Sequence, residues 1–214
     1  YTEAQLAKMA ELGTPEIRRT HLASVVLQLK AMKLVDLAAL DWLDPPDPTS
    51  MRAAVRRLYL LGALDREGRL TPVGAAMARL PVEPSLGHLL LGAASTWGCE
   101  AEAASICALA AGEDPFCRAG RPELVEAAKA TREQLDGPGG DHVSLLRLYQ
   151  LWESQPPGSR DGWCTEHGVR ARAMRTAHDV RAQLLELTRG AQLTARGGGG
   201  GGAGGGGGGG GGHG

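Results

Sequence analysis

From residue 22 onward, apolar side chains recur at Leu22, Val25, Val26, Leu29 and Met32, a helical spacing that puts them on one face. The string Asp44-Pro45-Pro46-Asp47-Pro48 interrupts that face, because proline has no amide donor and drives the preceding residue out of helical geometry. Met51, Ala54, Val55, Leu58 and Leu61 then repeat the pattern, with Thr49 or Ser50 as the expected N-cap. Next, Ala63-Leu64-Asp65 and Arg69-Leu70-Thr71 flank Arg66-Glu67-Gly68, where glycine supplies the positive φ of a tight hairpin, which predicts a short β-ribbon. Thr71 caps and Pro72 opens another short helix, with Val73, Met77 and Leu80 facing inward and Pro81 ending it.

Two helices, a β-hairpin and a third short helix predict a winged-helix domain over residues 20–82. Beyond Pro84 the pattern stays helical over 86–95, 99–111, 122–135, 142–152 and 168–187, with Gly and Pro at the breaks, which predicts a five-helix bundle over 83–190. In its last helix Val169, Ala173, Ala177, Val180, Leu184 and Leu187 form one apolar stripe. Arg170, Arg172 and Arg181 border that stripe and Arg175 points away, so all four are expected on the surface.

Composition agrees with a mainly α fold, since the chain holds one Phe and few β-branched runs. Of the 214 residues, those from Gly197 on are all glycine except Ala203 and His213. A tract without side chains buries nothing, so 191–214 is expected to be a disordered Gly-rich tail, either a flexible linker or an artefact of a GC-rich gene model. The apolar runs fall far short of the roughly 20 residues that a membrane-spanning helix needs. The opening Tyr1-Thr2-Glu3 carries neither a methionine nor a secretory pattern, and reads as internal to a longer protein.

The net charge of −1 excludes a chain coated in basic surface but leaves room for a local stripe. Lys and Arg number 11 against 9 Asp and Glu over 1–82, 6 against 13 over 83–167, and 6 against 2 over 168–196, so positive charge gathers at the end. Cys99, Cys107, Cys117 and Cys164 stand too far apart for a C-x-x-C pair and read as buried thiols. The one close pair of metal-ligating residues, Cys164 and His167, falls short of the four ligands of a structural zinc site. There is no G-x-x-x-x-G-K-[ST] loop to cradle a nucleotide and no G-x-S-x-G elbow, so catalysis is not expected of these residues.

Three features bear on nucleic acid. The arginine-bordered helix reads either as a solubilising face or as a surface that tracks phosphates, for which the planar guanidinium fork is suited. His142 follows Gly139-Gly140-Asp141 at a helix start, where an imidazole and free N–H groups can meet a phosphate or base, while Asp141 is expected to act as N-cap. Trp152 and Trp163 either stack on bases or, more in keeping with so few aromatics, fill the core.

Longer strings carry a family likeness. PEIRRTHLASVVLQLKAMKL, then LDPP, then LYLLGALDREGRLTPVGAAMARLPVEPSL resemble the winged-helix segment of DEAH-box RNA helicases. GDHVSLLRLYQLW and GWCTEHGVRARAMRTAHDVRAQL resemble the helicase-associated, or ratchet, domain that follows it. The resemblance implies an exit segment of the second RecA-like domain over 1–19, a winged helix over 20–82 and a ratchet bundle over 83–190. ATP and magnesium would then bind in RecA-like domains absent from this sequence, and the fragment alone would be inactive.

The same resemblance points to RNA. Asp141 and His142 match the family's Gly-Asp-His helix start, and Arg172, Asp179, Arg181 and Gln183 match its R-x-L-x-x-A-x-D-V-R-x-Q-L pattern. His142, Arg170, Arg172, Arg175 and Arg181 are accordingly the expected RNA-binding residues, led by Arg172 and Arg181. Implied partners are single-stranded RNA bound without regard to sequence, the upstream RecA-like domains and a G-patch-type activator, within an intracellular, nuclear setting. A winged-helix DNA reader and a protein-interaction scaffold are the competing readings. The chain departs from the family at His21, at Ala75 and at Gly168, where an aromatic ring normally packs and its loss is expected to leave a hole. An OB-fold is expected downstream, where the glycine tract stands instead.

Overall fold

The computed structural model describes residues 2, 22–34, 37 and 40–197, the stretch 191–197 by its helical backbone. The expected exit segment over 1–19, His21 and residues 198–214 lie outside these. Among the described residues the chain is mainly α. It runs through α1 (Leu22–Ala31), α2 (Pro48–Leu60), α3 (Pro72–Met77) and α4 (Pro84–Gly92), which a π-helical turn (Ala93–Trp97) continues. Then come α5 (Glu100–Ala111), α6 (Pro122–Leu135), α7 (Gly140–Glu153), a 3-10 turn (Pro157–Ser159), α8 (Arg160–Glu166) and α9 (Ala171–Gly197). The expected long last helix begins at Ala171 and continues through Gly197, and α8 was not foreseen in the pattern.

Two hydrophobic clusters organise these helices. Leu22, Ala23, Val26 and Leu27 of α1 meet Ala54 and Leu58 of α2, with Ala63, Leu64 and Met77 closing the first cluster. The inward face of α1 is rotated from the expected one, and Met32 lies beyond the helix end and is exposed. Val73 of α3 is also exposed, leaving Gly74 and Met77 as the buried positions. The second cluster joins Leu80, Leu90, Ala104, Cys107, Leu148, Trp152, Met174 and Leu184, drawn from α4, α5, α7 and α9 and the residues around them.

Caps follow the proline placement. Pro48 takes the first position of α2, where its missing N–H is no loss, and this hands the N-cap to Asp47 rather than to Thr49 or Ser50. The Asp47 carboxylate accepts the Ser50 N–H at 2.8 Å. Thr71 caps α3 as expected, its hydroxyl accepting the Gly74 N–H at 3.0 Å.

Instead of a β-ribbon the 63–71 segment forms a tight turn closed by the single antiparallel bridge Leu64–Leu70, because its arms are too short for a ladder. Asp65 ties the turn together: its carboxylate accepts the N–H groups of Glu67 at 3.0 Å and Arg69 at 2.8 Å and the Arg69 Nε at 2.8 Å. Among the described residues there is no regular strand.

Two glycines are required by close approach. A Cβ on Gly74 would stand 2.1 Å from the Ala63 carbonyl oxygen, so α3 crosses the turn with backbone against backbone. Gly168 has φ +62, and a Cβ there would meet the Leu124 oxygen and the Ala128 nitrogen of α6, each at 2.3 Å. The expected hole at Gly168 is therefore absent, because the α6 backbone occupies the space a side chain would take. The left-handed glycine ends α8, with Val169 N–H donating to the Cys164 carbonyl at 2.8 Å.

Gly168→Ala is expected to lower unfolding stability by about 2 kcal/mol or more. Gly162→Ala, in open space on α8, is expected to raise it by up to about 1 kcal/mol, and urea unfolding of the two variants measures the contrast.

The Asp65 carboxyl is held below its ordinary value of 3.8, first by the Arg69 N–H and then by the Arg69 guanidinium. A lowered folded pKa gives stability that is complete above the unfolded value and lost as pH falls through the folded one. Below about pH 4, the melting temperature of Asp65→Asn is expected to fall less steeply than that of the parent chain.

Candidate nucleic-acid interface

The first turns of α9 are set by what precedes them. After Gly168 the chain pairs with the 115–117 segment: Cys117 N–H donates to Gly168 O at 2.9 Å, Arg170 N–H to Pro115 O at 2.7 Å, and Phe116 bridges Val169. This pairing aims Arg170, Arg172 and Arg175 outward, and all three are exposed. Cations at a helix N-terminus oppose the macrodipole, so helix stability does not account for their placement.

Each of the three has different company. Arg170 pairs with Glu113 at 3.6 Å and Arg175 with Asp161, both pairs in water and individually weak. The Arg172 side chain makes no hydrogen bond or ion pair among the described residues and stands at a cavity of about 310 Å³, lined also by Pro81, Leu109, Gly112, Glu113, Thr176 and Val180. Asp179 and Gln183 are exposed further along α9.

Arg181 is not on the surface. Its side chain is 20% exposed, its Nε donates to Ser105 Oγ at 2.9 Å, and its guanidinium lies 5.3 Å over the Tyr149 ring and 3.8 Å from Glu153. The apolar stripe of α9 packs against α5, and Arg181, which borders that stripe, is enclosed between Ser105 of α5 and Tyr149 and Glu153 of α7. Arg181 thus fastens α9 to α5 and α7. The stripe itself is present, with Val169, Ala173, Ala177 and Leu184 buried, although Leu187 is 37% exposed and Met174 and Thr188 are buried without having been foreseen.

Sequence reasoning missed the group around Arg181. Tyr149 OH lies 2.7 Å from His178 Nδ1 and 3.2 Å from Glu153 Oε1, while Trp152 meets the His178 ring edge-on at 5.7 Å. Burial pushes the Tyr149 phenol up to about 12. The signal lay in the i,i+4 pair Tyr149 and Glu153 on a helix otherwise apolar at its core positions.

His142 is exposed near the start of α7 and lines none of the cavities that hold Arg172 or Asp141. Asp141 is not an N-cap: Gly139 holds that position without a side-chain bond, because Gly140 at φ +68 already begins the helix, and Asp141 falls in the first turn. There it lines a cavity of about 370 Å³ with Asp114, Phe116, Arg132 and Ser144. Burial pushes the Asp114 carboxyl up, but the Phe116 N–H, Arg118 and Arg132 outweigh it and leave the group below its ordinary value.

The tryptophans divide. Trp152 is buried and carries Arg160 over its ring at 4.4 Å, whereas Trp163 is half-buried and stacks on His167 at 4.2 Å. Cys107 and Cys164 are buried, with thiols pushed up to about 11, each chiefly by desolvation. Cys99 and Cys117 are half-buried rather than fully enclosed. Among the described residues no three His, Cys, Asp or Glu side chains converge as metal ligands, and no helix is long and apolar enough to cross a membrane.

The α2 helix, the turn after it and α3 define a recognisable class: residues 54–82 match the family model of the helicase-associated domain (HA2), winged-helix. The wider chain is 41% identical over 188 residues, 87% of its length, to the pre-mRNA-splicing factor ATP-dependent RNA helicase prp22 of Schizosaccharomyces pombe. It spans 16% of that relative. The chain is thus similar to the helicase-associated region of the DEAH-box RNA helicases.

Arg181→Ala is expected to destabilise the fold by about 2 kcal/mol, since it strips a partner from buried Ser105 and from half-buried Glu153. Arg172→Ala, which has no partner to lose, is expected to stay within about 0.5 kcal/mol of the parent in thermal or urea melts.

Proposed function

We propose that this chain is the accessory region of an ATP-dependent RNA helicase acting in pre-mRNA splicing in the nucleus, with 20–82 forming a winged helix and 83–190 a ratchet bundle. The observation that carries this reading is the 41% identity to the prp22 relative, sustained over nearly the whole chain rather than confined to one motif. In the winged-helix unit the wing is the Asp65-pinned turn, and its three helices are α1, α2 and α3. RNA, the upstream RecA-like domains and a G-patch-type activator are the proposed partners.

The α9 edge is the proposed RNA contact of the ratchet. Arg172 is the leading residue because it is exposed and unpaired, and Arg170 and Arg175 are held in weak surface pairs that a phosphate can displace. Exposed His142 is a further proposed contact. Arg181 supports this edge from beneath rather than touching RNA, because its donors are engaged with Ser105 and Glu153. Contacts of this kind go to the backbone, so binding is indifferent to base sequence and weakens with salt. The parent enzyme's ATP and magnesium have no place among these residues, which carry no phosphate loop.

Ultraviolet crosslinking of the 214-residue chain to 4-thiouridine RNA tests the reading. Arg172→Glu with Arg175→Glu is expected to reduce crosslinking about fivefold or more and to flatten its salt dependence. Unchanged crosslinking in a folded variant would leave the chain a protein-binding scaffold.

A further inference from the structure

A second basic surface lies on the opposite functional unit, where α2 meets the turn that follows it. Met51, Val55 and Tyr59, successive at i+4 along α2, share a groove of about 430 Å³ with Arg52, Arg56, Asp65, Arg66 and Gly68. Tyr59 is 43% exposed. The side chains of Arg56 and Arg66 are exposed and make no hydrogen bond or ion pair among the described residues. Arg52 donates only to the Thr49 hydroxyl at 3.3 Å, with the Asp47 charge nearby. The other arginines of this unit behave differently: Arg57 is paired to Glu83 at 2.6 Å and Arg69 to Asp65 at 2.8 Å.

We propose that this groove is an RNA-binding site separate from the α9 edge, taking the sugar-phosphate backbone of a single strand between Arg52 and Arg56 on the α2 side and Arg66 on the turn, with a base stacked on Tyr59. The inference rests on the reading of the chain as an RNA-binding region. Guanidinium groups stand on both sides of an apolar floor that ends in an open aromatic ring, and a polyanion of alternating phosphates and flat bases satisfies both features together. The one carboxylate in the groove, Asp65, is already saturated by Arg69 and two backbone N–H groups, so its charge is offset. No residue of this groove belongs to the cavity that Arg172 lines.

The test is a titration of the 214-residue chain with a fluorescent single-stranded oligouridylate of about ten nucleotides at several salt concentrations. Arg52→Gln, Arg56→Gln and Arg66→Gln combined are expected to weaken binding about tenfold or more and to lower the slope of log affinity against log salt by about 2. Tyr59→Ala is expected to weaken binding about fivefold or more with the slope unchanged, and Tyr59→Phe to restore it. Circular dichroism melts confirm folding. Should the triple variant fail to fold, Arg66→Gln alone is expected to lower the slope by about 0.7.

An unaltered affinity and slope in the groove variants, with loss in Arg172→Glu, overturns this site and leaves the α9 reading standing. Loss in the groove variants with Arg172→Glu unaffected supports the groove and overturns the α9 edge. An acidic amphipathic peptide that needs the three arginines while RNA does not makes the groove a protein-docking site and overturns the proposal. Absence of RNA binding by the parent chain overturns both.

Discussion

The packing of α9 against α5, held from the side by Tyr149, Trp152 and Glu153 of α7, is the constraint on which the rest of the molecule depends. Ala173, Ala177 and Leu184 give α9 a narrow apolar stripe, and small residues at the first two positions let it lie close to the equally small face of α5, built from Ala104, Cys107 and Ala108. Close backbone approach leaves little volume to rearrange, so dispersion contacts are dense and each methyl group matters. The same helix also touches α3, so it joins the bundle to the unit built by α1, α2 and α3. Arg57 reinforces that junction by reaching from α2 to Glu83 and Ser85 at the start of α4.

Within this seam the polar groups are arranged so that few are left over. Arg181 serves Ser105 and Glu153, Tyr149 serves Glu153 and His178, and Arg160 covers Trp152 while donating to the carbonyls of Glu153 and Gln155. Such a network specifies one relative placement of three helices, because sliding α9 by a turn would strand several buried donors and acceptors at once. The arginines at the start of α9 inherit that rigidity. Their outward direction comes from the pairing of 168–170 with 115–117, which is itself possible only because Gly168 has no side chain to hold α6 away.

The two proposed RNA-facing surfaces differ in origin. The α9 edge is a consequence of helix phase: arginines three residues apart emerge on one side of a buried stripe. The α2 groove is a consequence of a short turn brought back across a helix, which sets Arg66 opposite Arg52 and Arg56 although ten or more residues separate them in sequence. In the α2 groove Asp65 is taken up by Arg69, and on the α9 edge Glu113 and Asp161 pair with Arg170 and Arg175 but leave Arg172 unpaired, so local potential departs from the net charge of −1.

The amino-acid sequence by itself determined the helical class, most of the helix order, the Thr71 cap, the apolar stripe of the last helix and the family resemblance, because each is written in nearest-neighbour chemistry or spacing along one element. Tertiary structure alone decided the burial of Arg181, the unforeseen Tyr149–His178–Glu153 group, the reduction of the ribbon to a single bridge and the reason for Gly168. Those depend on what lies across from a residue. Helix periodicity says that Arg181 borders the stripe, but only the position of Ser105 and Tyr149 turns a border into an interior, and only the α6 backbone makes the glycine indispensable.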